Sequence, residues 1–292
     1  MQKRNLLNSP RLLELKKKRR RIFINKILLS TFSLLVIFTS LAYFSRISAF
    51  NINSVEIQGN KVIDIETIKS VVDKDLTGNY LGFFPRTNFL IYPKSKIKKE
   101  LTDQFKIIKD ISINLKNLQT LSVNIEEREG KYTWCGNDLP TQTEQNQCYF
   151  MDDKGYIFGE APYFSGNVYL KFFGQADLGL NFFPDIFSKL VSFDQSVEAM
   201  GIKTSSFLVK DDKTIELYLL SDTPPPLGPK IVLKTDSDFE KVTENLQTAL
   251  STEPLQTEFK NKYSTLQYIY LQFGNKVYYK FSTQNESVSP VK

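Results

Sequence analysis

The chain has 292 residues, more than one compact domain usually needs, and its 41% hydrophobic and 13% aromatic content exclude wholesale disorder. Its formal charge of +6 is local: residues 1–26 hold ten Lys and Arg against one acid, Glu14, while the other 266 residues hold 28 bases against 31 acids. A basic nucleic-acid-binding body is thereby excluded, and the lack of any histidine argues against hydrolytic or metal chemistry by removing the commonest general base and metal ligand.

Residues 1–26 read as a basic cytoplasmic tail and residues 27–45 as a transmembrane helix. The run ILLSTFSLLVIFTSLAYFS, Ile27–Ser45, carries no charge over nineteen residues, a rise of about 28 Å that matches a bilayer's hydrocarbon core. Seven bases between Lys16 and Lys26 flank one end, and only Arg46 lies near the other. The positive-inside rule therefore puts the N-terminus in the cytoplasm and the rest of the chain across the cytoplasmic membrane. A cleaved signal peptide has a shorter apolar region and a small-x-small site. Ser48-Ala49 is a poor match to one, so an uncleaved anchor is expected.

The segment 50–128 reads as one small α+β unit. NINSVEI alternates apolar and polar residues as a strand does, and Gln58-Gly59-Asn60 ends it as a turn. Asp64 is placed to cap a helix running to about Lys74, with Ile65, Ile68, Val71 and Val72 at helical spacing. Residues 78–85 read as a loop, and Pro93 opens a second helix carrying Ile97 and Leu101. IIKDISINL and TLSVNIE follow as strands. This β-α-α-β-β order, with VEIQGNKVI just after the anchor and IKDISINLKNLQTLSVNIEERE at the end, resembles the POTRA domain of the FtsQ/DivIB family of bacterial cell-division proteins.

Residues 129–282 read as a β-rich domain with flanking helices, and residues 283–292 as a flexible C-terminal tail. Short strands are expected in Lys131–Gly136, Gln147–Met151, Tyr156–Phe158, Ser206–Lys210, Ile215–Leu220 and Ile231–Lys234. Helices are expected over Asp185–Gly201 and Phe239–Leu250, the latter capped by Asp236 or Asp238. The end, LQYIYLQFGNKVYYKF, is strongly strand-like with a break at Gly274-Asn275. CYFMDDKGYIFGEAP, Gly201-Ile202 and IYLQFGNKVYYK again resemble FtsQ/DivIB proteins. The family usually has an acid and an arginine in the terminal strand, where this chain has Tyr270 and Gln272.

Few residues point to chemistry. Cys135 and Cys148 flank the polar loop NDLPTQTEQNQ between two strands, outside the cytoplasm, where disulfides persist. A bridge between them closes a short loop and contributes on the order of 2–3 kcal/mol, whereas two thiols without histidine cannot complete a closed zinc site. Asp152-Asp153 and Asp211-Asp212 sit in turn sequences, which favours turn chemistry over catalysis. Glu126-Glu127-Arg128-Glu129 reads as a solvated strand end, and Pro224-Pro225-Pro226 as a stiff hairpin loop. No phosphate loop, serine elbow, metal signature or cofactor motif is present.

One feature points to binding. Tyr268, Tyr270, Lys276, Val277, Tyr278, Tyr279 and Phe281 form an aromatic terminal hairpin, and an edge strand can accept a partner's strand as readily as it packs a core. In FtsQ/DivIB proteins this end engages small bitopic division partners of the FtsB/FtsL kind, so the resemblance implies a non-enzymatic divisome scaffold in the cytoplasmic membrane at the septum. Lys276–Phe281 is the expected edge. The alternatives are a POTRA-type assembly chaperone, which predicts repeated units or a membrane barrel, and a cell-wall enzyme, which lacks a nucleophile motif.

Overall fold

The computed structural model describes residues 10–140, 147–223 and 225–282. The tail at 1–9, most of the loop between the cysteines, Pro224 and the terminal segment 283–292 lie outside the described residues. The chain divides into two compact units between Glu127 and Arg128.

The first unit begins with helix α1 (Pro10–Ser45), 36 residues long, or about 54 Å. Glu14–Ser45 is the one stretch among the described residues long and apolar enough to cross a membrane. The helix runs unbroken through Lys26-Ile27, so the division at that point is one of composition. Strand β1 (Ser54–Gln58), helix α2 (Ile65–Leu76), a two-residue ladder β2 (Asn79–Tyr80) and β3 (Phe84–Pro85), helix α3 (Lys94–Gln104) and strands β4 (Ile108–Asn117) and β5 (Thr120–Glu127) follow. The hairpin β2–β3 replaces the loop expected at 78–85.

The sheet order is β1-β5-β4, with β1 parallel to β5, Ser54 opposite Thr120, and β4 antiparallel to it, Ile113 opposite Val123. Ile68 and Val72 of α2 and Ile97 and Leu101 of α3 are fully buried against Ile113, Leu121 and Val123. Asp64 caps α2 by accepting the Thr67 amide at 3.2 Å. The expectation of a solvated strand end at 126–129 holds for the exposed Glu126 and Glu129 and is corrected at Glu127. The two-residue period that turns Leu121, Val123 and Ile125 inward also turns Glu127 inward. Buried there, its carboxylate accepts the amides of Val62 at 2.8 Å and Ile63 at 3.1 Å. Arg128, first residue of the second unit, pairs with the buried carboxylate of Asp152 and lies 3.9 Å from the Tyr156 ring centroid.

The second unit holds β6 (Tyr132–Trp134), β7 (Tyr149–Met151), β8 (Ile157–Glu160), β9 (Lys171–Phe173), α4 (Phe187–Ala199), β10 (Thr204–Val209), β11 (Thr214–Leu219), β12 (Lys230–Lys234), α5 (Phe239–Leu250), α6 (Leu255–Lys262), β13 (Leu266–Phe273) and β14 (Lys276–Phe281). Nine strands form one sheet in the order β14-β13-β12-β11-β10-β9-β6-β7-β8. The pairs β6–β9, β9–β10 and β12–β13 are parallel, the last joined through α5 and α6. Phe172, Phe182, Phe187, Phe193 and Phe207 pack with Ile231 and Ile269 between the sheet and the helices α4 and α5. Strand β9 and helix α6 escape sequence reading. The first is only three residues long, and the second buries only Leu255.

Two predictions follow from this packing. Gly59 has φ +85°, and a Cβ added there would lie 2.1 Å from the Ile125 carbonyl oxygen. Gly59→Ala therefore destabilises the first unit by more than about 2 kcal/mol in urea denaturation. Asp194 of α4 is buried and accepts the Thr204 hydroxyl at 2.6 Å. Burial, aided by Glu198 and opposed by Thr204, raises its carboxyl to about 6. Its folded form keeps a proton that the unfolded chain releases near pH 4, so its contribution to stability is lost as pH rises from about 4 to 6. Asp194→Asn should match the parent at pH 4 and exceed it by about 1–2 kcal/mol at pH 7.5, measured by melting at both values.

Candidate partner interface

The sheet of the second unit has two ends, and they differ. At β8 the outer side is covered. The Ile157 amide donates to the Leu180 carbonyl at 3.0 Å, the Gly179 amide donates to the Ile157 carbonyl at 2.8 Å, and Tyr156 bridges to Asn181. At the other end β14 pairs with β13 on one side, and among the described residues no strand lies on its other side. The Lys276–Phe281 segment therefore carries a row of backbone donors and acceptors open to a further strand.

The hairpin holds its shape through its inner face. Leu266, Ile269 and Leu271 of β13 are buried, and Val277, Tyr279 and Phe281 of β14 pack partly against the same core. Gly274, at φ +67°, makes the turn, and the Asn245 side chain of α5 donates to its carbonyl at 3.1 Å. The expected set of contact residues thus splits by strand parity: Val277, Tyr279 and Phe281 serve folding, while Lys276 and Tyr278 turn outward.

Register extends the outward face across four strands. Tyr218, Lys230, Tyr268 and Lys280 lie in one cross-strand row, and Glu216, Val232, Tyr270 and Tyr278 in the next. The rings of Tyr268 and Tyr270 stack 4.2 Å apart, and Phe273 meets Tyr278 edge-on at 5.4 Å. At the closed end of the rows, buried Glu216 accepts from Lys210 at 2.8 Å, Lys230 at 2.9 Å and the Tyr218 hydroxyl. Burial pushes this carboxyl up, but the three donors outweigh it, and the group lies below the usual carboxylate range. Burial and Glu216 together raise the Tyr218 hydroxyl far above its ordinary value. The Glu216 charge is thus fully matched inside the face. The 266–281 hairpin itself carries Lys276 and Lys280 and no acid, so its outward edge is aromatic and positive.

The remaining candidates have structural roles. Cys135 and Cys148 form a disulfide between the end of β6 and the start of β7. Asp152 accepts the Lys154 and Tyr156 amides, both at 2.9 Å, as a turn residue. Asp212 accepts the Thr214 amide at 2.9 Å, and this bond holds its carboxyl below the usual range. Pro225 and Pro226 lie in the connection between antiparallel strands β11 and β12. No cluster of three or more Cys, Asp or Glu side chains able to hold a metal occurs among the described residues. The Glu216 cluster was missed because it joins Tyr218 of the same strand to Lys230 of β12 and to Lys210 just past the end of β10. Comparison with protein-family models and with curated proteins finds no match to the chain.

Parity makes the two adjacent tyrosines of β14 unequal. Tyr278→Ala should change stability by less than about 1 kcal/mol, whereas Tyr279→Ala, which opens the core, should cost about 1–3 kcal/mol. Chemical denaturation of the two variants side by side reads the difference; equal losses would contradict the assigned faces.

Proposed function

We propose that this chain is a non-enzymatic cell-division scaffold, anchored in the cytoplasmic membrane by α1 with its N-terminus in the cytoplasm, that binds other bitopic division proteins by strand addition at β14. The observation that carries the reading is the uncovered β14 edge, the one end of the nine-stranded sheet that no other segment among the described residues closes. A strand added there gains main-chain hydrogen bonds along the edge, and the outward side chains set which strand is accepted. Lys276 and Lys280 repel the same edge of a second copy and favour a segment with acidic residues, while Tyr278 and Tyr270 offer a flat apolar surface beside it.

The division role is supported by the resemblance to the FtsQ/DivIB family in VEIQGNKVI, IKDISINLKNLQTLSVNIEERE, CYFMDDKGYIFGEAP and IYLQFGNKVYYK. Apart from the short β2–β3 hairpin, the first unit runs β1-α2-α3-β4-β5, an order that supports the POTRA reading. Anchoring supports the mechanism physically: α1 confines the binding edge to the membrane plane, where single-span partners of the FtsB/FtsL kind diffuse, and raises their effective concentration.

A fluorescent fusion followed in dividing cells should concentrate at the septum; uniform envelope signal would overturn the division role. Lys276→Glu combined with Lys280→Glu alters only exposed side chains. It should lower recovery of bitopic partners from solubilised membranes at least about tenfold while leaving the fold intact. Undiminished recovery would remove β14 as the binding edge.

A further inference from the structure

Among the described residues, five of the eight large exposed apolar side chains of the first unit outside α1 lie near one another, whereas Val62, Ile65 and Leu118 lie elsewhere. Leu81 is 83% exposed, Leu90 75% and Phe83 50%, with Ile91 and Phe50 also exposed. All but Phe50, which lies in the turn at Ser48–Phe50, belong to the β2–β3 hairpin and the 88–91 loop beside the C-terminal part of α1. The stretch from Gly78 to Pro93 carries one charge, Arg86, and no acid.

The hairpin does not stop at the end of the helix. Phe38 lies eight residues before Arg46, or about 12 Å back along the helix axis. Its ring nonetheless meets Phe83 at 5.6 Å and Phe84 at 5.5 Å, both edge-on. Arg46 reaches back alongside, its Nε donating to the Phe83 carbonyl at 3.2 Å and its Nη2 to the Gly82 carbonyl at 3.1 Å. Two carbonyls at the hairpin tip thus have donors within the protein, as a segment withdrawn from water requires. Behind the hairpin, Leu41, Phe44, Phe50, Phe84, Phe89 and Leu90 line an apolar cleft of about 390 Å³.

The turn itself is an unusual choice for water. Leu81 and Gly82 have φ of +50° and +75°, and the Phe83 amide donates to the Tyr80 carbonyl at 3.0 Å, a tight turn with both central residues in the left-handed region. Asn, Asp or Gly ordinarily takes the first central position. A leucine accepts the left-handed backbone at a cost and gains nothing from solvent in return.

We propose that the β2–β3 hairpin and the 88–91 loop form a lipid-binding seat that enters the outer boundary of the bilayer crossed by α1. Leu81, Phe83, Leu90 and Ile91 lie among the upper acyl chains, and the cleft accepts part of one chain. Tyr80, Tyr92 and Arg86 lie at headgroup level, where aromatic and basic side chains are favoured, and the Arg46 guanidinium is held by the tip carbonyls. The inference rests on α1 being a membrane span: a helix embedded to Phe38 necessarily carries the hairpin with it. The seat fixes the first unit against the membrane surface instead of leaving it on a free tether.

The test uses the full chain in phosphatidylcholine–phosphatidylglycerol vesicles under non-reducing conditions. The native cysteines are bonded to each other, so one introduced cysteine takes an environment-sensitive fluorophore. Labels are placed by Leu81→Cys, Leu90→Cys, Val36→Cys within α1, and Val62→Cys, an exposed site beyond the far end of β1. Emission at 81 and 90 should shift blue, be protected from aqueous iodide, and be quenched by lipids spin-labelled near the headgroup about threefold more than at 62. Quenching at 36 with iodide access at 81 and 90 equal to that at 62 would overturn the seat while leaving the span in place. Protection at 81 and 90 without lipid quenching would mean that protein covers the patch, and would also overturn it. Iodide access at 36 would remove the span, and the seat with it.

Discussion

A β-sheet leaves a row of unpaired backbone groups wherever it ends, and each of those groups must find a partner in the protein, in water or in another molecule. This chain meets the requirement differently at different ends. The β8 end is closed by residues 179–181 of the same chain. The β4 end is partly served by α3, whose Lys98 donates to the Ile111 carbonyl at 2.9 Å while Lys94 reaches the Asn114 side chain. The β14 end has no further strand beside it among the described residues, and the proposed partner would complete it. The proposed binding role rests on which backbone rows the fold completes and which it leaves open.

Buried acids supply the second organising element. Glu127 holds the Val62–Ile63 backbone, Asp152 holds its own turn and Arg128, and Glu216 pairs with two lysines on the sheet face. Each is matched by amides or cations, which is the condition for keeping a carboxylate away from water. Asp194 has only a hydroxyl partner, and its raised pKa records the difference.

The proposed anchor, seat and edge are parts of one mechanism. A span alone limits diffusion to a plane. A hairpin seated in the lipid also restricts the orientation of the first unit, reducing the entropy lost when a partner in the same membrane docks.

Much of this was legible in order along the chain. The apolar run of α1, the Asp64 cap, both long helices of the second unit and the terminal hairpin follow from local periodicity and turn chemistry, which depend only on neighbouring residues. The pairing of Cys135 with Cys148 was expected from their even count and their place on either side of one loop. Tertiary structure decided the rest. It put β14 at a sheet end, separated Tyr278 from Tyr279 by face, and gathered Tyr218, Lys230 and Tyr268 from three strands into one row. It turned Glu127 inward and brought Phe83 and Phe84 against Phe38. These are contacts between residues far apart in sequence, fixed by strand register and packing, and a local pattern carries no record of which distant segment will lie beside it.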